Sequence, residues 1–279
     1  MMIALSHFLL VSAILVYMEE WFHDEDFWEQ YAPIIFDDKR WAEVSEVADS
    51  VTRLAGLNLY GDTQPSGRAK TAPYVLDLCC GPGRITLELA RRGFAAVGVD
   101  ITAAYLNTAR KNADDEGLAI EFVQDDVRSF RRENVFDVAV NLYNSFGYFE
   151  NPDDDALFLR NAHHSLRDGG ALIIDALGKE IAVRDYTGAE WFERAGCIVL
   201  TESVPVDSWG SVWNRWILIQ DGKRREKVFI QRLYAASELR SLLYSAGFST
   251  VELYGGWDER PYDHNADTLI AVGRKTGNR

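Results

Sequence analysis

Residues 75–90 read VLDLCCGPGRITLELA: an apolar run holding an acid, Asp77, then a glycine turn, then the start of an amphipathic helix. Gly81 and Gly83 can take positive φ and let backbone approach a ligand closely. Strand and helix patterns alternate downstream of this turn. Strands are expected at 74–78, 95–99, 119–123, 136–142 and 171–176, with helices at 85–92, 103–116 and 152–166. The last of these helices has Asn151 as N-cap, Pro152 at its first position and Asp153, Asp154 and Asp155 in its first turn. Nearly continuous apolar strands between helices predict a parallel sheet covered on both faces. The pattern then changes to three β-rich runs, 198–206, 212–220 and 227–234, with a hairpin signal at Asp221-Gly222. A helix at 237–246 and strands at 250–254 and 268–274 close the chain. The fold expected is α/β: a Rossmann-like, mostly parallel seven-stranded sheet with helices on both faces and a small antiparallel β insertion at about 180–234.

Upstream, 18–60 is expected to be helical, with Pro33 interrupting the pattern, followed by the turn-rich loop GDTQPSG at 61–67. Residues 1–17 are apolar except for Ser6, His7 and Ser12. They carry neither the basic flank of a secretory signal nor the ~20 apolar residues of a membrane helix. Met18 as the natural start, an extra helix and a weak anchor remain as readings of that segment, and no membrane association is expected. The 279 residues hold 43 acidic and 29 basic side chains, a formal charge of −14. Nucleic acid is therefore not expected as a partner. Three cysteines, two of them adjacent, suit neither a disulfide framework nor a metal site. They suggest a reducing cytoplasm, and no metal is expected.

Three acids stand at the ends of three consecutive strands: Asp77, Asp100 and the pair Asp125-Asp126. Open α/β sheets bind ligands at that edge, and the acid ending the second strand holds ribose hydroxyls in nucleotide-binding sheets. The dinucleotide fingerprint fits poorly, because Thr86 occupies its third glycine position and Asp77 would repel a pyrophosphate. An acid there can instead receive a ligand amine. The segment resembles motif I of the class I S-adenosylmethionine-dependent methyltransferases, with Asp77, Gly81 and Gly83 matching and Cys79 standing where a first glycine is common. The resemblance implies S-adenosyl-L-methionine as cofactor. It also implies that Asp100, with Ile101, holds the ribose, that Asp126 and Val127 face the adenine, and that Asn141 and Leu142 lie near the methionyl part.

Methyl transfer from a sulfonium needs donor and acceptor held in line in a dry, aromatic pocket. Two stretches supply such aromatics: 141–149 (NLYNSFGYF) and the N-terminal region with Trp28, Tyr31 and Phe36. Tyr31, Tyr143, Ser145 and Tyr148 are the substrate-pocket candidates, while Phe36 and Phe149 read as core. Trp213 and Trp216, three apart on a strand, face opposite sides. One can reach a substrate while the other packs or joins a homodimer. His264 reads as a solvated loop histidine rather than a general base. The function expected is methyl transfer to N or O of a small-molecule acceptor. Methylation of protein or RNA, or binding of the cofactor without catalysis, are the alternatives.

Overall fold

The computed structural model describes residues 20–57 and 72–276. The apolar segment 1–17 and the loop 61–67 lie outside the described residues. A 3₁₀ turn, Trp21–His23, leads into α1 (Glu25–Ile35), α2 (Asp38–Ala42) and α3 (Val44–Ala55). The alternating region follows: β1 (Tyr74–Leu78), α4 (Arg84–Arg91), β2 (Ala95–Asp100), α5 (Ala103–Glu116), β3 (Glu121–Gln124), β4 (Phe136–Asn141), α6 (Pro152–Ser165) and β5 (Leu166–Ala176). Then come α7 (Lys179–Arg184), β6 (Ala189–Arg194), β7 (Cys197–Val206), β8 (Ser211–Gln220) and β9 (Lys223–Arg232). The chain closes with α8 (Ala236–Ser245), β10 (Thr250–Tyr254) and β11 (Leu269–Arg274).

Seven strands form the main sheet in the order β10-β11-β5-β4-β1-β2-β3, in which β11 runs antiparallel to both neighbours and the other pairings are parallel. Side-chain alternation divides each strand between two cores. Leu76, Leu78, Val97 and Val99 pack with Phe158, Leu159, Leu239 and Leu243 on one face. Val75, Val138, Val140 and Ile173 pack on the other with Ile85, Leu89 and the α3 stripe Val44, Val47, Val51, Leu54. Order reverses between β1 and β4, so the crevice at their carboxyl ends is the ligand position such a sheet offers.

β6, β7, β8 and β9 form a separate antiparallel sheet in that order. Its hairpin turns at Asp221 (φ +51°) and Gly222 (φ +70°), the two left-handed residues that a tight two-residue turn requires. The sequence shows three of its strands; β6 (AEWFER) escapes because only Phe192 is more than marginally covered and its neighbours are exposed. The inner face, with Val199, Leu218 and Phe229, packs on Trp21, Phe27, Tyr31 and Ile34 of the N-terminal helices. Lys227 pairs with Asp24, the N-cap of α1, and fastens the same junction. The insertion and the helices thus meet above the crevice. Pro33 lies inside α1 rather than ending it; the helix stops two residues later. Among the described residues no helix is long and apolar enough to cross a membrane.

Candidate active site

The turn after β1 is built from three left-handed residues, Cys79 (φ +61°), Gly81 (φ +56°) and Gly83 (φ +79°). Cys79 takes, at a steric cost, the conformation that favours glycine at that position. Gly83 is required for a second reason: a Cβ there would lie 2.9 Å from Ala109 Cβ and 3.2 Å from the Phe122 ring, where α4 and α5 meet. Asp100 holds the turn from the neighbouring strand. Its Oδ2 accepts the Gly81 N–H at 2.7 Å and its Oδ1 accepts the Thr102 N–H at 2.9 Å. Burial pushes its carboxyl upward, opposed by these N–H bonds.

Asp77 is 4% exposed and accepts the Thr86 hydroxyl on Oδ2 at 2.5 Å. Thr86 therefore does a specific job where a dinucleotide fingerprint has glycine. Burial drives Asp77 up to about 7, with the nearby Asp100 charge adding to the rise and the Thr86 bond opposing it. Asn141, at the end of β4, donates Nδ2–H to Leu78 O at 3.0 Å, and its Oδ1 is buried with no partner among the described residues. An orphaned acceptor of this kind calls for a donor from a ligand or water.

Asp126 is differently placed. Both its oxygens accept from the Arg128 side chain, at 2.6–3.1 Å. Arg128 also holds Glu20 (2.5 Å) and Asp154 (3.3 Å), and its guanidinium lies 4.8 Å from the Phe149 ring centroid. Burial would raise Asp126, but Arg128 outweighs it and keeps the carboxyl below its usual range. An adenine amine approaching Asp126 would have to share it with Arg128.

These groups open on one cavity of about 290 Å³. Asp77, Cys79, Gly81, Asp100, Ile101, Asp126, Val127, Asn141 and Leu142 all line it, as do Tyr143, Ser145 and Tyr148. Gly83 does not; it sits behind the turn between helices. Tyr31 does not either, which corrects its reading as a pocket residue. It is 2% exposed, and its hydroxyl donates to Trp216 O at 3.1 Å. Phe27 and Tyr31, four apart on α1, face the inserted sheet, whereas Trp28 is turned about 100° from Phe27 and about 60° from Tyr31 and lines the cavity. Phe36 and Phe149, read as core, also line it. Trp216 reaches the cavity from β8, and Trp213 lies on the opposite face, as the spacing requires.

Sequence reasoning missed Arg40, Arg84 and Arg194, which line the same cavity. Arg84 directly follows Gly83, where an arginine reads from sequence as solvated charge. His264 is exposed outside the cavity, and Tyr262 donates to Glu180 Oε2 at 2.9 Å rather than facing it.

A glycine turn after β1, an acid ending β2, and a reversed β11 in a seven-stranded sheet define a class I methyltransferase fold. Residues 75–170 match the family model described as a methyltransferase domain. The chain carries an S-adenosylmethionine-dependent methyltransferase domain. It is 23% identical to the cypemycin N-terminal methyltransferase of a Streptomyces species, over 86% of this chain and 97% of that protein. Among solved structures it resembles the CcbJ methyltransferase of Streptomyces caelestis, with TM-score 0.75, 20% identity and coverage of 93% of this chain and 100% of the other. It also resembles S-adenosylmethionine-bound CalS10, an amino pentose methyltransferase of Micromonospora echinaspora, with TM-score 0.62, 19% identity and coverage of 94% and 98%. The residues present fit this donor: acids at the strand ends, the unpartnered Asn141 Oδ1 and a largely aromatic roof.

Proposed function

We propose that this enzyme methylates a nitrogen or oxygen of a small-molecule acceptor enclosed between the N-terminal helices, the loop 143–149 and the inserted sheet. The observation that carries the reading is the continuity of the cavity, which runs from the strand-end acids to Phe36, Phe192 and Trp216. S-adenosylmethionine, when bound, supplies an electrophilic methyl on a sulfonium. Asp100 then accepts the ribose hydroxyls on the lone pairs that Gly81 and Thr102 leave, beside Ile101. Asp77 and the Cys79–Gly81 backbone receive the methionyl amine, and Asn141 and Leu142 border the same part. Val127 and the Arg128-bound Asp126 border the adenine. Trp28, Tyr148 and Phe36 exclude water and give a positive centre aromatic faces.

Nitrogen is the better fit of the two acceptors. Among the described lining residues there is no histidine, and the four carboxylates sit at the strand ends. Burial pushes the Tyr143 phenol up to about 12, against the Arg84 charge, and pushes Tyr148 up as well. An amine is nucleophilic as the free base and needs no such group, whereas an alcohol does. Two similar proteins named above, an N-terminal and an amino pentose methyltransferase, are in keeping with this. The cytoplasm is the proposed location, in keeping with three free thiols.

Turnover of methyl-labelled donor against small amines, hydroxylated metabolites, peptides and RNA tests the reading. Label in small amines supports it. Label only in peptides or RNA moves the acceptor class, and tight donor binding without transfer to anything supports a non-catalytic binder.

A further inference from the structure

Within the loop 143–149, Tyr143, Ser145, Phe146, Tyr148 and Phe149 line the cavity. The other two residues, Asn144 and Gly147, do not, and they are bonded instead to consecutive residues at the end of β9. Gly147 O accepts the Arg232 N–H at 2.8 Å. Its φ is +93°, and a Cβ there would lie 2.5 Å from Arg232 O, so only glycine allows so close an approach. Asn144 and Gln231, 87 residues apart in the chain, exchange two hydrogen bonds. Asn144 Nδ2–H donates to Gln231 Oε1 at 3.3 Å, and Gln231 Nε2–H donates to Asn144 O at 3.2 Å.

Asn144 is also tied to the main sheet. Its N–H donates to the Asp175 carbonyl at 3.0 Å, and its Oδ1 accepts the Leu177 N–H at 2.9 Å, both at the end of β5. Its backbone is left-handed (φ +64°), a conformation that asparagine enters more readily than most residues. One residue thus joins the strand ends that floor the cavity to the inserted sheet, whose Trp216 reaches the same cavity from β8. Gln231 is only 8% exposed, so water competes little for the pair, and a satisfied buried network of this kind fixes one arrangement.

We propose that Asn144 and Gln231 are positioning residues for the acceptor: their amide pair holds the inserted sheet at one distance from the loop 143–149, and so keeps the acceptor in line with the donor methyl. Neither lines the cavity; they act through Tyr148 on the loop and Trp216 on the sheet. The proposal rests on the acceptor reading above. A misplacement of about 1 Å between reacting groups can cost on the order of 100-fold in rate, so a pair remote from the chemistry can control it.

Gln231→Met in the full chain keeps the side chain's length and removes both bonds. Turnover is read with the small amine that the wild type methylates fastest in the labelled-donor panel. kcat should fall about 10-fold or more, KM for the amine should shift by a smaller factor, and S-adenosylhomocysteine affinity should stay within about twofold. Amide hydrogen exchange should quicken at 142–150 and stay unchanged in β1 and β2. Gln231→Glu guards against a variant that fails to fold and adds a pH readout. Its carboxylate can accept from Asn144 Nδ2–H, but only the protonated acid can donate to Asn144 O. Its turnover, as a fraction of wild-type turnover at the same pH, should therefore rise as pH falls, while that of Gln231→Met stays flat. Wild-type kcat in Gln231→Met, whatever its melting temperature, overturns the proposal and leaves the pair a structural contact. Equal loss of kcat and of S-adenosylhomocysteine affinity, or a flat profile in Gln231→Glu, overturns it too. If the wild type methylates no small amine, the acceptor reading itself falls, and the proposal with it.

Discussion

The carboxylate of Asp100 and the backbone N–H of Gly81 meet at 2.7 Å, so the acid ending β2 also fixes the glycine turn that follows β1. One side chain thus shapes the site and lines it. Substituting Asp100 disturbs both functions at once, and ligand variants test its role more cleanly than protein variants do.

Gly83→Ala should destabilise the protein by about 2–4 kcal/mol. A left-handed conformation costs an L-residue ~1–2 kcal/mol, and a Cβ forced against Ala109 and Phe122 adds an overpacking penalty. Urea unfolding measures this. A loss below about 1 kcal/mol would mean that α4 and α5 part easily at this contact.

Cys79→Gly should act in the opposite direction. Its φ of +61° is strained for cysteine and ordinary for glycine. The relief, less the flexibility gained by the unfolded chain, leaves an expected gain of roughly 0.5–1 kcal/mol. A lower melting temperature would show that packing of the half-buried thiol outweighs the strain.

Asp77 should link donor binding to pH. Burial raises its folded value to about 7 from an ordinary 3.8, so the folded, unliganded protein holds more protons than the unfolded chain between those values. Its contribution to stability is full below 3.8 and is lost as pH rises through about 7. A ligand ammonium beside it favours the ionised form. S-adenosylhomocysteine should therefore bind more tightly as pH rises towards 8 and release a proton near neutrality. Calorimetry in buffers of different ionisation enthalpy reads the proton, and Asp77→Asn should abolish the release. Proton uptake in the wild type would contradict the assignment.

Tyr31→Phe and Tyr148→Phe should separate strut from pocket. Tyr31 donates to Trp216 O from a buried position, so Tyr31→Phe should cost ~0.5–1.5 kcal/mol of stability and leave donor affinity within about twofold. Tyr148 lines the cavity with its ring 4.7 Å from that of Trp21, and among the described residues its hydroxyl makes no hydrogen bond. Tyr148→Phe should leave stability unchanged and reduce acceptor turnover by ~10-fold. The reverse pattern, measured by melting and by turnover, would return Tyr31 to the pocket.

These two tyrosines also mark where sequence reading reaches its limit. The sheet and its strand-end acids follow from nearly continuous apolar runs between helices and from glycine spacing, both local signals. Tyr31 and Trp28 differ by three positions on one helix, and which of them meets the cavity depends on where the inserted sheet lies, a tertiary fact. Arg84 was hidden for a related reason. After a glycine turn an arginine reads as ordinary solvated charge, and only the position of Phe36, on a distant segment, shows that it is buried. Asp126 was legible as a strand-end acid, but its capture by Arg128, two residues later, was not.

The most direct test of the account compares S-adenosylhomocysteine with its 2′-deoxy analogue on the unaltered protein by calorimetry. With Asp100 receiving the ribose hydroxyls, S-adenosylhomocysteine should bind one per chain, and the deoxy analogue should bind roughly 10- to 150-fold more weakly, the worth of a hydrogen bond to a charged group. Equal affinity for the two ligands, or no binding of S-adenosylhomocysteine, would contradict it.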